Sequence, residues 1–223
     1  MIRSDAMEIR PASDRSVLVS FGHEISLEAH RAVRRLTLAF ETLPPGILNL
    51  HPAYASVLID FDPRRRCYEE VERFVRERWE APHQASEGET RTVEIPVCYG
   101  GAAGPDLEDV ARHTGLTPER VIESHSAAAY RVYFLGFSPG FPYLGGLPPE
   151  LSTPRLSAPR KRVPAGSVAI GGSQTGVYPV DSPGGWRIIG RTSLRLFDAA
   201  AEPPALLRIG DTVRFIPIPE PGP

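Results

Sequence analysis

Hydrophobic positions in the first eighty residues follow two different periods. Ser16–Phe21 is a short apolar run before a glycine and predicts a strand. From Ser26 onward, Ala29, Val33, Leu36, Phe40 and Leu43 recur at alternating four- and three-residue spacing, which places one apolar stripe on a helix. Pro44-Pro45-Gly46 ends that helix. Ile47–Leu50 and Tyr54–Phe61 read as two extended runs, and Val71, Phe74, Val75 and Trp79 give a second helix, Tyr68–Glu80, its buried face. Strand, helix, strand, strand, helix is the order of a small α+β unit of the split βαβ type.

The pattern changes after a segment with almost no large apolar residue, Ala81–Glu89, which reads as a linker. It separates an N-terminal domain over 1–85 from a second domain over 86–223. Val93, Ile95 and Val97 alternate as in a half-buried strand. Asp106–His113 and Pro118–His125 read as short helices; Gly115 stops the first and Thr117-Pro118 starts the second. Tyr130–Phe137 is strongly β-forming. From Ser138 on there is no helical period. Ser167–Ile170, Val177–Val180, Trp186–Ile189, Leu194–Phe197 and Thr212–Ile218 alternate with Gly/Pro turns, the pattern of a compact barrel or sandwich.

Composition agrees with many short elements. The 223 residues include 20 glycines and 24 prolines, yet 41% are hydrophobic, enough to bury a core. A net charge of −2 supplies no field for nucleic acid or an anionic membrane. Neither Val132–Pro149 nor Val163–Val180, the long uncharged runs, is a continuous apolar span, and Met1–Pro11 has no apolar leader core. The expectation is a soluble, cytoplasmic protein. Cys67 and Cys98 stand far apart outside any metal-binding spacing, so neither a disulfide framework nor a cysteine zinc site is expected.

Lys161 is the single lysine, and Arg162 follows it where a P-loop needs Ser or Thr, which excludes a Walker-type nucleotide site. Gly136-Phe-Ser-Pro-Gly140 matches the nucleophile-elbow pattern around Ser138. The elbow also needs a following helix, and the prolines and glycines through Pro149 leave a shaped loop instead. His125 is read as a packing or hydrogen-bonding residue rather than a base for Ser138. Arg155, Arg160, Lys161 and Arg162 cluster between prolines in a segment without regular structure; forked donors of this kind recognise carboxylate or phosphate. Gly171–Trp186 is richest in polar chemistry, with Gln174, Thr175, Tyr178, Ser182 and Trp186 spaced by glycines that admit a ligand to the backbone.

Taken together, YRVYFLGFSPGFPYLGGL (130–147), Pro159-Arg160, VPAGSV (163–168), QTGVYP (174–179), SPGGW (182–186) and IGRT (189–192) resemble the family of 5-oxoprolinase B subunits, also called allophanate hydrolase subunit 1 or KipI-like. Gly100-Gly101, Gly104-Pro-Asp-Leu107 and His125 fall in the same pattern. The resemblance spans about 8–218 and is most specific over 93–198. It implies an N-terminal α+β domain followed by a cyclophilin-like β-barrel. It further implies work alongside two partner proteins, one KipA-like and one LamB/YcsF-like, as an ATP-dependent 5-oxoprolinase that opens 5-oxoproline to glutamate. No metal is implied for this chain. Other members imply two alternatives: inhibition of a sensor histidine kinase, or the carboxyltransferase part of a urea carboxylase. On the first reading, Arg155, Arg160 and Arg162 are anion clamps, with Gln174, Thr175, Tyr178 and Ser182 lining the pocket. Phe137, Ser138, Gly140, Phe141, Tyr143 and His125 form a loop or interface region. Phe141, Tyr143 and Trp186, carried on mobile loops, are expected to be buried against a partner protein.

Overall fold

Ser26 opens the first helix as the sequence predicts, its hydroxyl accepting from the Ala29 amide at 3.0 Å. The structure is a computed structural model that describes residues 7–81 and 91–219. Apart from Ala81, the expected linker lies outside the described residues, as does the boundary at 85/86. The chain divides into two compact units, Met1–Glu89 and Thr90–Pro223.

The first unit runs β1 (Glu8–Ser13), β2 (Ser16–Ser20), α1 (Leu27–Ala39), β3 (Ile47–Pro52), β4 (Ser56–Phe61) and α2 (Tyr68–Glu80). Its sheet has the order β1-β2-β4-β3, with every neighbour antiparallel. Strands β2 and β3 are therefore parallel to each other across α1, with β4 inserted between them, which is the split βαβ arrangement. Strand β1 was not legible, because Glu8–Ser13 is almost wholly exposed and carries no alternation. Helix α1 stops at Ala39, so Leu43 is exposed while Phe40 is buried. Arg35 lies 4.2 Å over the Trp79 ring and donates to the Trp79 carbonyl, which ties α1 to α2 through a cation–π contact and a hydrogen bond.

The second unit contains β5 (Thr92–Tyr99), α3 (Leu107–Thr114), α4 (Pro118–Ala127), β6 (Tyr130–Leu135), β7 (Pro142–Gly145), β8 (Arg160–Val163), β9 (Ser167–Gly171), β10 (Gln174–Val177), β11 (Ser182–Gly184), β12 (Arg187–Arg191) and β13 (Thr212–Pro217). Seven strands close into a barrel in the order β10-β7-β6-β13-β5-β12-β9, while β8 and β11 pair as a separate ribbon. Only the β13–β5 pair of the barrel is parallel. Three expectations are corrected here. Arg160–Val163 is a strand, because β11 supplies its hydrogen bonds; an Arg-Lys-Arg run has no intrinsic signal for that pairing. The Gly/Pro-rich loop after Ser138 contains β7, held between β6 and β10. Leu194–Phe197 forms no strand beyond one bridge to Ala205, and its apolar pattern serves burial, with Leu196 in the barrel core. No described helix is long and apolar enough to cross a membrane.

His125, on α4, is fully buried in the barrel core and stacks on Phe215 at 4.6 Å. Thr175 Oγ1 donates to the Ala169 carbonyl, so it accepts from His125 Nε2–H at 2.9 Å. Nδ1 is then the acceptor for the Tyr99 hydroxyl at 2.8 Å. Burial pushes the imidazole pKa down to about 3 from its ordinary value of 6.5. The folded state therefore holds His125 neutral while the unfolded chain takes up a proton, so this contribution is complete above pH 6.5 and is lost as pH falls toward 3. Urea unfolding of the native chain should lose about 1.4 kcal/mol per pH unit on this account between about pH 6 and 4. His125→Gln should flatten that part of the slope, and an unchanged slope would contradict the assignment.

Candidate functional site

One side of the barrel carries a second apolar cluster: Phe141, Val163, Ala169, Tyr178, Trp186 and Ile188, with Tyr143 packed against it. Phe141 sits at its centre, edge-on to Tyr178 at 5.3 Å and to Trp186 at 5.7 Å. The β8–β11 ribbon lies alongside, since Val163 belongs both to the ribbon and to the cluster. Gly184 pairs with Arg160, and a side chain at Gly184 would collide with the Tyr178 hydroxyl; glycine there lets the ribbon close on the tyrosine. Burial raises the Tyr178 pKa, opposed by the Trp186 amide, which hydrogen-bonds the hydroxyl, and by nearby Arg155 and Arg160.

Asp106, beside the start of α3 and 4% exposed, organises this face. One carboxylate oxygen accepts from the Ile188 amide at 2.7 Å and the other from Arg160 Nη2 at 2.7 Å. Arg160 Nη1 is buried without a partner, and the hydroxyls of Ser182 and Ser138 are in the same condition. Buried polar atoms are normally paired, and leaving one unpaired costs roughly 1–3 kcal/mol. All three of these atoms belong to segments that border the aromatic cluster: the ribbon on one side and the loop before Phe141 on the other.

The expected anion clamp is thereby divided. Arg162 is exposed and bound to Asp181, which also accepts from the Ala165 amide. Arg155 is exposed and lies 5.6 Å over the Trp186 ring. Arg160 is the one of the three that keeps a buried, unengaged donor. Gln174 is half-buried at the start of β10, whereas Thr175 is fully buried and committed to His125. In the loop, Ser138 accepts at its carbonyl from the Phe141 amide, and Gly140 is buried at φ 77°. The positive φ of an elbow falls on Phe137 (66°) rather than on Ser138, and His125 is turned to Tyr99 and Thr175. Phe141 and Trp186 are buried within the chain, at 3% and 6% exposure, and are not loop anchors held out for a partner; Phe137 is 64% exposed. The sequence named Asp106 only as part of a motif, and its clue was a carboxylate set between a glycine turn and a helix start. Among the described residues, no group of three or more His, Cys, Asp or Glu side chains is arranged to hold a metal ion.

Comparison with known proteins agrees with this architecture. A family model described as "Carboxyltransferase domain, subdomain C and D" matches residues 7–207. The chain belongs to that family. Among the relatives of this carboxyltransferase-type chain, a 5-oxoprolinase B subunit of Escherichia coli O157:H7 is 46% identical over 91% of this chain and 92% of the relative. One from Bacillus subtilis is 43% identical over 96% and 93%. The crystal structure of TTHA0988 superposes with a TM-score of 0.83 at 41% identity, over 94% of this chain but 41% of that one. The chain thus spans about two-fifths of that longer polypeptide.

Trp186→Ala should cost about 3 kcal/mol or more of stability, because it empties a packed site, whereas Phe137→Ala should leave the melting temperature nearly unchanged. Thermal denaturation of the two variants checks this; equal melting temperatures would refute the core role of Trp186.

Proposed function

We propose that the chain is the B subunit of a cytoplasmic, ATP-dependent 5-oxoprolinase that opens 5-oxoproline to glutamate, together with a LamB/YcsF-like protein and a KipA-like protein. The observation that carries this reading is the near end-to-end likeness, at 46% identity, to a protein named as the B subunit of 5-oxoprolinase. Such a protein implies companions. The TTHA0988 structure adds support for them, because there the same fold is one part of a polypeptide more than twice as long.

The chemistry of the aromatic face favours a contributing role. It offers positioned donors and no serine–histidine pair, so it is suited to holding a substrate by hydrogen bonds and charge rather than attacking it. Arg160 is paired with Asp106 and Arg162 with Asp181, while Arg187 and Arg112 share Asp109, so much of the positive charge is already engaged, which favours a small anion over a triphosphate. ATP is therefore assigned to another chain of the complex. Exposed Phe137, held at a positive φ on the loop before β7, is the residue assigned to contact the KipA-like partner.

The test mixes the purified chain with its LamB/YcsF-like and KipA-like partners and follows ATP-dependent release of glutamate from 5-oxoproline. Activity should require all three proteins, and Phe137→Ala should weaken association with the KipA-like partner by about tenfold or more. Full activity of the two partners without this chain would overturn the reading.

A further inference from the structure

Asp106 engages only one edge of the Arg160 guanidinium. Nη2 donates to Asp106 Oδ1, and Nη1 is left buried without an acceptor. The guanidinium keeps N–H donors beyond the one given to Asp106, and Nη1 is the nitrogen left to meet an incoming anion, whose other oxygen can be served by a neighbouring hydroxyl. Ser182 Oγ is buried and unpartnered on the paired strand, and the Tyr178 hydroxyl lies against Gly184, the residue that faces Arg160. Ser182 and Arg160 are each partly exposed as residues, so these buried atoms lie close to the surface of the ribbon.

We propose that Arg160 Nη1, Ser182 Oγ and the Tyr178 hydroxyl form a subsite for the carboxylate of a small monoanionic substrate. On the reading given above, on which this inference rests, that group is the free carboxylate of 5-oxoproline. Charge selects the class. With Arg160 balanced by Asp106, the remaining unpaired cation beside Trp186 among the described residues is Arg155, which matches one negative charge. Lys161 alternates with Arg160 along β8 and points to the other side of the ribbon. Asp106 is a positioning residue: it holds the guanidinium plane so that Nη1 faces the ligand.

Binding and turnover are measured separately on the reconstituted complex. Calorimetric titration compares 5-oxoproline with 5-oxoprolinamide, which keeps the lactam ring and replaces the carboxylate by a neutral amide. The native complex should bind the acid at least about tenfold more tightly, and Arg160→Gln should abolish that preference and raise KM for 5-oxoproline about tenfold with little change in kcat. Ser182→Ala, a milder change on a partly exposed ribbon, should reduce the preference severalfold and serves if Arg160→Gln does not fold. A native complex that binds acid and amide equally, or folded variants that keep the full preference, would overturn the subsite. Absence of ATP-dependent turnover by a native complex that still prefers the acid would count against the 5-oxoprolinase reading and leave the carboxylate subsite standing.

Discussion

The barrel face depends on one buried carboxylate. Asp106 is almost wholly removed from water, and a carboxylate so placed must be met by donors or lose its charge. It is met twice, by a backbone amide of β12 and by a guanidinium of β8. Three segments distant in sequence, the start of α3, the ribbon and a barrel strand, are thereby fastened at one point. Without this carboxylate Arg160 would lose its ion pair, and β8 would be left with its pairing to β11, the packing of Val163 and the Arg162–Asp181 bridge on the exposed side. Removing one partner of such a pair is expected to cost more than the pair contributes, because the other charge is left buried.

Two uses of aromatic residues meet at this face. Phe141, Tyr178 and Trp186 are packed edge to face and form a rigid wall, so the hydroxyl of Tyr178 and the adjoining ribbon have little freedom. Phe137 is the opposite case. It is exposed, and its left-handed backbone is unfavourable for a residue with a side chain. A tight turn would accept glycine here more cheaply; the ring lies edge-on to Phe141 at 5.5 Å and to Tyr178 at 6.5 Å and leaves most of its surface open. The unpaired hydroxyl of Ser138 next to it belongs to the same strained turn.

Much of this was legible in the sequence where local physics decides the outcome. The stripe from Ala29 to Phe40, the Ser26 cap, the Thr117-Pro118 start and the alternation at Val93–Val97 all act within a few residues, and each appears where it was expected. The ribbon was not legible, because Arg160–Val163 becomes a strand only through a partner some twenty residues away. Trp186 was misread for a related reason. Gly184-Gly185 just before it suggest a mobile loop, yet the ring is buried within the chain, against Gly171 and Gly176. The arginine cluster was found as a group, but which member keeps a free donor depends on Asp106 and Asp181, and no local pattern links those carboxylates to their partners.

Two buried polar networks of the second unit, around His125 and around Asp106, show why burial alone does not mark a site. Around His125 every ring nitrogen has a partner, the tautomer is set by the Thr175–Ala169 bond, and the imidazole is held neutral. Such a network is complete; it specifies the barrel core and has nothing left to offer a ligand. Around Asp106 the count does not close. The carboxylate is satisfied, but its arginine and the neighbouring serine are not, so the folded chain carries an unfavourable term that its own residues do not remove. An incoming acceptor would remove that term on binding, and part of its affinity would come from relieving a cost already present in the empty protein. A satisfied network gives a ligand nothing to relieve, and that contrast is the ground on which the Arg160 face rather than the His125 core is proposed as the site.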